Sequence, residues 1–179
     1  MSDFDRSVKF VLDHEVVFQK GHYGDWAFVK TENVAGDRGG MTRYGIDKRS
    51  HPGVNIDKLS KEQAIEIYRK EYWNAGRCDQ MPWPVNLAHF DGCVNVGAGQ
   101  AAKFLQRAVG AHDDGAIGPK TLQKLKEACD ATSPKEIAEK IAELRANFYK
   151  HLAVQNPEDA EFLNGWLNRV SDLKKNITV

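Results

Sequence analysis

Two stretches decide the fold of this chain: residues 3–15, DFDRSVKFVLDHE, and residues 37–46, DRGGMTRYGI. The apolar residues of the first stretch recur at helical spacing and share one face of a predicted helix over 3–17: Phe4, Val8, Val11 and Leu12. Glu15 follows Val11 by four positions, so it continues that face to the end of the helix. Partial desolvation favours the protonated form of a carboxylic acid. We therefore expect Glu15 to act as a proton donor near neutral pH.

The second stretch is a glycine-rich loop that carries Asp37 and Thr42. Glycines between them lack a side chain, so the backbone can come close to a ligand. With Glu15, these two polar side chains indicate acid catalysis on a polar substrate. A structural interpretation stays open beside it, in which Asp37 fixes a turn through an Asx-type hydrogen bond. In either case glycines such as Gly45 are expected to serve the backbone rather than contact a ligand.

Composition limits the classes of protein to consider. The chain has 179 residues, enough for one domain or two small packed lobes. Its 25 Lys and Arg balance its 25 Asp and Glu, which argues against a nucleic-acid partner bound through a basic surface. No apolar run has membrane-spanning length, and the charged start MSDFDRSVKF does not resemble a secretory signal. We therefore expect a monomer without membrane insertion, made in the cytoplasm and acting elsewhere only after release or export.

Cysteines and histidines indicate no bridge and no bound metal. Cys78, Cys93 and Cys129 form an odd set without CxxC spacing, so neither a disulfide framework nor a zinc site is expected. Each is expected to be a small buried or half-buried residue. There is no HExxH motif and the histidines are scattered, so we expect no metal and no cofactor.

Helical periodicity dominates the rest of the chain, which predicts a mainly α fold with a small β-hairpin lobe at residues 18–46. A capping box from Ser60 to Gln63 predicts a helix over 61–74. Two prolines at 81–84 break the chain before the next helix. Further helices are predicted at about 85–95, 99–109, from 119 onward, 134–153 and 157–173.

Some polar and aromatic residues have a plain structural interpretation. Arg145 and Arg169 are expected to pair with Asp91 or with glutamates between helices. Four rings are expected to be core: Trp83, Phe104, Phe148 and Trp166. These residues are predicted to stabilise the fold rather than to carry chemistry.

Short motifs follow one another along nearly the whole chain. The first half carries His14-Glu15, the Asp37–Ile46 loop, and LSKEQAIEIY at 59–68 followed by Tyr72-Trp73. The second half carries FDGCVNVG at 90–97, LQRA at 105–108, DGAIGPKT at 114–121, Arg145, Phe148-Tyr149 and GWLNR at 165–169. In these motifs the chain resembles a phage-type lysozyme of glycoside hydrolase family 108, joined to the predicted peptidoglycan-binding region that usually accompanies it.

The resemblance implies a lysozyme-like helical fold. It implies a catalytic region over residues 1–97 and a peptidoglycan-binding-like region over residues 98–179, packed together as one compact unit. It further implies a lysozyme, an N-acetylmuramidase that hydrolyses the β-1,4 bond between N-acetylmuramic acid and N-acetylglucosamine. The glycan strands of peptidoglycan would then be the partner, and cell-wall lysis the role.

A glycosidase needs an acid that protonates the leaving oxygen and a second group that assists the developing cation or the attacking water. Within the resemblance, Glu15 is the predicted acid, Asp37 the predicted second acid, and Thr42 is predicted to position a water. Contacts to the sugar are predicted for one amide and three rings: Asn95, Tyr44, Trp26 and Trp73. For Asn95 a structural role, holding a loop carbonyl, is an equal alternative.

Two departures from the family pattern leave alternatives open. Val16-Val17 stand where the family usually has Gly-Gly, and the stretch from Glu15 to Asp37 is longer than the family's loop. Asp25 or Glu32 within that stretch is therefore an alternative second acid. Val16-Val17 also keeps in view a non-catalytic wall-binding or secretion-assisting protein on this fold. A chitinase-like enzyme is a further alternative, because chitin contains the same acetamido sugar.

Overall fold

The computed structural model describes residues 1–33 and 40–178. Within them the fold is mainly α-helical, as predicted. The helices are α1 (Asp3–Glu15), α2 (Lys61–Tyr68), α3 (Val85–Val96), α4 (Ala98–Val109), α5 (Pro119–Ala131), α6 (Pro134–Gln155) and α7 (Leu163–Ile177). The strands are β1 (Glu32–Asn33), β2 (Met41–Arg43) and β3 (Ile46–Asp47). Shorter turns of helix are Trp26–Phe28, Ile56–Lys58, Arg69–Asn74, Cys78–Gln80 and Pro157–Phe162.

Helix α1 forms for the reasons that its sequence predicts. The Ser2 hydroxyl accepts a hydrogen bond from the Asp5 backbone N–H at 3.1 Å, which caps the first turn. Its apolar face is buried: Phe4, Val8, Val11 and Leu12. The helix ends at Glu15, two residues earlier than predicted, where the β-branched pair Val16-Val17 follows. The glutamate therefore lies at the C-terminus of the helix, followed directly by non-helical chain.

The structure divides into two units whose boundaries differ from the predicted boundary after residue 97. The helical unit comprises residues 1–7 and 71–179, and the hairpin unit comprises residues 8–70. Helix α3, assigned from sequence to the catalytic region, packs on α4 and α6 within the helical unit. Packing of the backbone thus groups α3 with the C-terminal helices.

Aromatic rings and small residues fill the core of the helical unit. The Trp73 ring meets the rings of Phe4 and Phe90 edge-on, each with centroids 5.4 Å apart. Cys78 and Cys93 are buried free thiols and Cys129 is a half-buried one, as the sequence predicts. Burial raises the pKa of Cys78 and of Cys93, the latter to about 12, so both thiols stay protonated.

A buried ion-pair cluster joins three helices of the helical unit. The Asp91 carboxylate of α3 lies 2.6 Å from Arg145 Nη2 of α6 and 2.7 Å from Arg169 Nη2 of α7. Arg169 Nε also donates to Asp91 Oδ1 at 3.0 Å. Asp91 and Arg145 are almost completely buried. Of the two kinds of partner predicted for these arginines, Asp91 or glutamates between helices, the structure shows Asp91.

The hairpin unit contains a three-stranded antiparallel sheet in the order β1-β2-β3, within the lobe predicted at residues 18–46. A two-residue turn, Tyr44-Gly45, joins β2 to β3 with φ of 55° and 76°. Positive φ at both positions is typical of the tight turns that match the twist of a hairpin. Upstream, Phe18 pairs with Val29 in a single antiparallel bridge. The lobe is therefore short strands and turns, held by local pairing.

Candidate functional site

The candidate site lies in the hairpin unit, where Glu15 meets the turn between β2 and β3. The Glu15 side chain is half-buried. A Cβ built on Gly45 would lie 2.8 Å from Glu15 Cβ and 2.5 Å from the Tyr68 hydroxyl. Only a residue without a side chain fits this close approach, and the φ of 76° at Gly45 adds the same requirement. The glutamate is thus packed directly against the hairpin turn.

Helix α2 fixes the other side of that turn. The Tyr68 hydroxyl donates a hydrogen bond to the Tyr44 carbonyl at 2.9 Å, and Tyr68 is fully buried. The helix begins with the predicted capping box: Ser60 Oγ accepts from Gln63 N–H at 3.2 Å, and Gln63 Oε1 accepts from Ser60 N–H at 2.9 Å. A sequence motif at the start of α2 therefore positions the residue that anchors the turn beside Glu15.

Strand register brings three polar side chains into one row. In the antiparallel sheet Thr42 is paired with Glu32 on β1 and with Asp47 on β3. Directly paired residues project to the same face with Cβ atoms about 4.5–5.5 Å apart. Thr42 is therefore flanked by two carboxylates. A hydroxyl between carboxylates is suited to hold a water molecule or a sugar hydroxyl.

Asp47 is a member of this row that sequence reasoning missed. Burial alone raises the pKa of its carboxyl, but hydrogen bonds from Ser50 and the charge of nearby His51 outweigh that effect, so the pKa is lower than usual. Its Oδ1 accepts from the Ser50 backbone N–H at 2.8 Å. Its position in the sequence could have identified it. Asp47 lies five residues after Thr42, which is the spacing of paired residues across a hairpin with a two-residue turn.

The candidate second acids differ in their surroundings. Asp25 is exposed, and its Oδ1 accepts from the Ala27 backbone N–H at 3.1 Å, which caps the short helix Trp26–Phe28. Glu32 is half-buried and pairs with Thr42 across the sheet. Asp37 lies outside the described residues, so its role stays a prediction.

Two of the predicted sugar-stacking rings are engaged with neighbours. Tyr44 is buried, 4% exposed, so the prediction that its ring offers a face to a sugar is wrong. Trp26 is half-buried, with its ring nearly parallel to Tyr44 at a centroid distance of 6.3 Å. The Lys61 ammonium lies 3.6 Å from the Trp26 centroid, a cation–π contact. A sugar would stack on Trp26 only after Lys61 moves away.

The remaining predicted contact residues lie in the helical unit. Trp73 is only 1% exposed and its Nε1–H donates to Asp79 at 2.7 Å, so the prediction of a sugar-stacking face is wrong. Asn95 is half-buried, and its amide donates to the Asp91 carbonyl at 2.7 Å. The Asp91 carbonyl belongs to α3 itself rather than to a loop, so both predicted roles of Asn95 stay predictions. Both residues were assigned to the site from sequence motifs alone. A motif does not show which way a side chain points.

Three further features of the described residues concern His14, metal binding and membrane spans. His14 Nδ1 lies 2.9 Å from the Phe10 carbonyl oxygen one turn earlier, which gives it a structural role in α1. Over residues 1–33 and 40–178, no three His, Cys, Asp or Glu side chains are grouped so that they could hold a metal ion. In the same part of the chain, no helix combines the length and apolarity needed to cross a membrane.

The candidate site therefore consists of a half-buried glutamate at a helix end, packed on a hairpin whose central strand carries Thr42 between two carboxylates. Glycosidases use such paired acids to protonate the leaving oxygen and to assist the other face of the sugar. A lysozyme-like glycoside hydrolase is the class of protein with which this fold and this candidate site are consistent.

Comparison with known proteins gives the same class. Residues 27–97 match the family model described as glycosyl hydrolase 108, and residues 100–171 match the model described as predicted peptidoglycan domain. The solved structure of SagA from Brucella abortus superposes with a TM-score of 0.74 at 26% sequence identity, covering 98% of this chain and 93% of that chain. The comparison with curated proteins gives no match.

These matches confirm the resemblance to glycoside hydrolase family 108 and to its peptidoglycan-binding region, and the lysozyme-like, mainly helical fold. They support a glycoside hydrolase that acts on peptidoglycan. The first matched range ends at residue 97 and the second begins at residue 100. Glu15 precedes the first matched range, so the assignment of the acid depends on the geometry of the hairpin unit.

Proposed function

We propose that this protein is a peptidoglycan N-acetylmuramidase in which Glu15 is the general acid. The proposal depends most on one observation, the close packing of Glu15 against the Gly45 turn. The contact packs the Cβ and Cγ of Glu15 against the turn that follows β2, the strand that carries Thr42 between two carboxylates. Fixed position and partial desolvation are what a proton donor to a glycosidic oxygen requires.

The second group is one of three carboxylates: Glu32, Asp25 or Asp37. Register favours Glu32 among the described two, because it is paired with Thr42, whereas Asp25 already caps a short helix. In the proposed reaction Glu15 protonates the leaving oxygen as the glycosidic bond breaks. The second carboxylate then stabilises the cationic sugar or takes a proton from the attacking water, and Thr42 orients that water.

Replacement of Glu15 by Gln tests the acid. The amide keeps the shape of the side chain and cannot donate a proton, so turnover of purified peptidoglycan should fall by roughly 10²–10⁴-fold. The matched control is Glu66→Gln, the same chemical change at an exposed position of α2 in the hairpin unit. Parent-like clearance by the Glu15 variant overturns the assignment. Parallel unfolding curves exclude loss of fold as the cause.

The bond that is cleaved is tested by mass spectrometry of the products. A muramidase releases fragments that end in reducing N-acetylmuramic acid, and a glucosaminidase releases fragments that end in reducing N-acetylglucosamine. Digestion of a chitin oligomer run beside peptidoglycan would reveal a chitinase-like activity instead. Retention of the parent protein on peptidoglycan without any new reducing ends would favour a non-catalytic wall-binding protein, and would overturn the proposal.

The second acid is tested by three single variants: Glu32→Gln, Asp25→Asn and Asp37→Asn. One of them should lower turnover by at least about 10²-fold while leaving the unfolding midpoint near that of the parent. Addition of azide sharpens the assignment, because a small external anion restores activity when a carboxylate base or nucleophile is missing. If all three variants keep parent turnover, none of these residues is the second group, and Asp47→Asn then tests the remaining carboxylate of the row.

A further inference from the structure

A polar groove in the hairpin unit has no assigned role. It has a volume of about 770 Å³, and the residues that matter for its chemistry are Lys20, Lys30, Thr31, Glu32 and Arg43. That volume is within the range of small-molecule sites. Three cations face one carboxylate, so the groove carries an excess of positive charge although the whole chain is neutral.

Local backbone pairing forms the wall of the groove. The Gln19 backbone N–H donates to the Phe28 carbonyl at 2.9 Å, and the Lys30 N–H donates to the Val17 carbonyl at 2.8 Å. These bonds flank the bridge between Phe18 and Val29. Lys20 and Lys30 are therefore carried by two segments that pair with each other.

The cations of the groove are available to a ligand. Lys20 and Lys30 are exposed, and within residues 1–33 and 40–178 neither forms an ion pair. Arg43 Nη1 donates to the Thr31 hydroxyl at 3.2 Å, which holds the guanidinium in place. Its Nε is buried and, among the described residues, has no hydrogen-bond partner. A buried donor without a partner is costly and indicates a place for an acceptor.

The geometry points to a subsite for the carboxylates of the peptide stem of peptidoglycan. This inference rests on the proposed function, because the stem is attached to the muramic acid next to the bond that would be cleaved. Arg43 follows Thr42 on β2 and therefore projects to the opposite face of the sheet. Glu32 lines the groove and is paired with Thr42 across the sheet, so it is the residue that links the groove to the proposed catalytic row. A guanidinium held in place recognises a planar carboxylate through paired N–H donors, and the two lysines add attraction without fixed geometry.

The test measures binding separately from catalysis. A soluble stem tetrapeptide with free carboxylates is titrated into the full-length protein and followed by NMR shifts of the hairpin-unit amides. The parent should bind it, and the Lys20→Gln/Lys30→Gln double variant should bind about fivefold more weakly, since exposed ion pairs are individually weak. Binding should also weaken as salt is raised. The matched control is Lys58→Gln/Lys70→Gln, the same loss of charge on exposed lysines of the hairpin unit that do not line the groove.

Each other outcome overturns the subsite. Absence of tetrapeptide binding does so, as does equal binding of its carboxylate-amidated form or equal loss in the control variant. Preference for a glycerol-phosphate oligomer over the tetrapeptide would show that the groove takes phosphate instead. A separate measurement, the turnover of glycan strands stripped of their peptides, distinguishes failure of the subsite proposal from failure of the proposed function. Such strands should still be cleaved by the parent if the muramidase proposal is right and the subsite proposal is wrong.

Discussion

The helical unit and the hairpin unit use polar side chains in opposite ways. In the helical unit Asp91 and Arg145 are almost completely buried and bound to each other. His89 is buried there as well, and burial lowers its pKa to about 4, so it is a neutral core residue. In the hairpin unit Glu15, Glu32 and Thr42 are half-buried on short elements. The contrast suggests that buried, partnered charge stabilises the fold, whereas half-buried charge can meet a substrate.

The largest expected effect on stability comes from Asp91→Asn. Loss of this carboxylate leaves the Arg145 guanidinium buried without its counter-charge, so the free energy of unfolding should fall by about 3–5 kcal/mol. Urea unfolding measures the loss. The control is Asp130→Asn, which removes an exposed carboxylate paired with Lys126 and should change little. An Asp91 variant as stable as the parent would contradict the proposal that buried, partnered charge stabilises the helical unit.

Lowering the pH should remove the contribution of Asp91 to the stability of the parent protein. Burial alone raises the pKa of Asp91, but the charges of Arg145 and Arg169 outweigh it and hold the pKa below its usual value. A carboxylate with a lower pKa in the folded state stabilises fully above the unfolded value of about 3.9, and this stabilisation is lost as pH falls through the folded pKa. The stability gap between parent and Asp91→Asn should therefore stay constant from about pH 7 to 5 and narrow below about pH 4. Unfolding curves at a series of pH values measure it, and a gap that widens in acid contradicts the assignment.

Gly45→Ala should affect stability and activity together, unlike the Asp91 variant. The added methyl would meet the Tyr68 hydroxyl and the Glu15 side chain, at a position with positive φ, so the loss should be about 2–4 kcal/mol. Turnover should fall as well, because the turn that packs against Glu15 must shift. Unfolding and turnover are measured side by side, with Gly53→Ala as the control, since a Cβ there meets nothing within 4 Å. Parent-like turnover in a destabilised Gly45 variant would show that the turn does not position Glu15.

The sequence predicted elements whose signal is local. Helical periodicity, the Ser60 cap and Pro119 at the first turn of α5 each concern residues a few positions apart, and each prediction agrees with the structure. The pairing of Arg145 and Arg169 with Asp91 joins residues far apart in the chain, and it was predicted only as one of two options, the other being glutamates between helices. The helical periodicity, the Ser60 cap and the proline rule need no knowledge of the tertiary arrangement.

The errors concern properties that local patterns do not contain. Tyr44 and Trp73 were expected to face a sugar, but each ring is buried by residues distant in sequence. Asp47 was missed because its place beside Thr42 depends on the register of two strands, which the turn at Tyr44-Gly45 sets. Half-burial of Glu15 was foreseen from its helical face, whereas its contact with Gly45 required the fold.

The smallest expected effects come from removing a serine N-cap from one helix in each unit. Ser60 and Ser133 each accept a hydrogen bond from the backbone N–H three residues later, at 3.2 Å, so replacement of either by Ala should cost about 1 kcal/mol. Ser60 begins α2, which carries Tyr68 to the turn beside Glu15, so Ser60→Ala should also lower turnover modestly. Ser133 begins α6 in the helical unit, and Ser133→Ala should leave turnover unchanged at temperatures where the protein stays folded. Thermal unfolding and initial rates measure both, and Ser60→Thr, which keeps the hydroxyl, should stay near the parent. Equal turnover losses from the two caps would mean that stability alone governs activity, and the two units would then not differ in role.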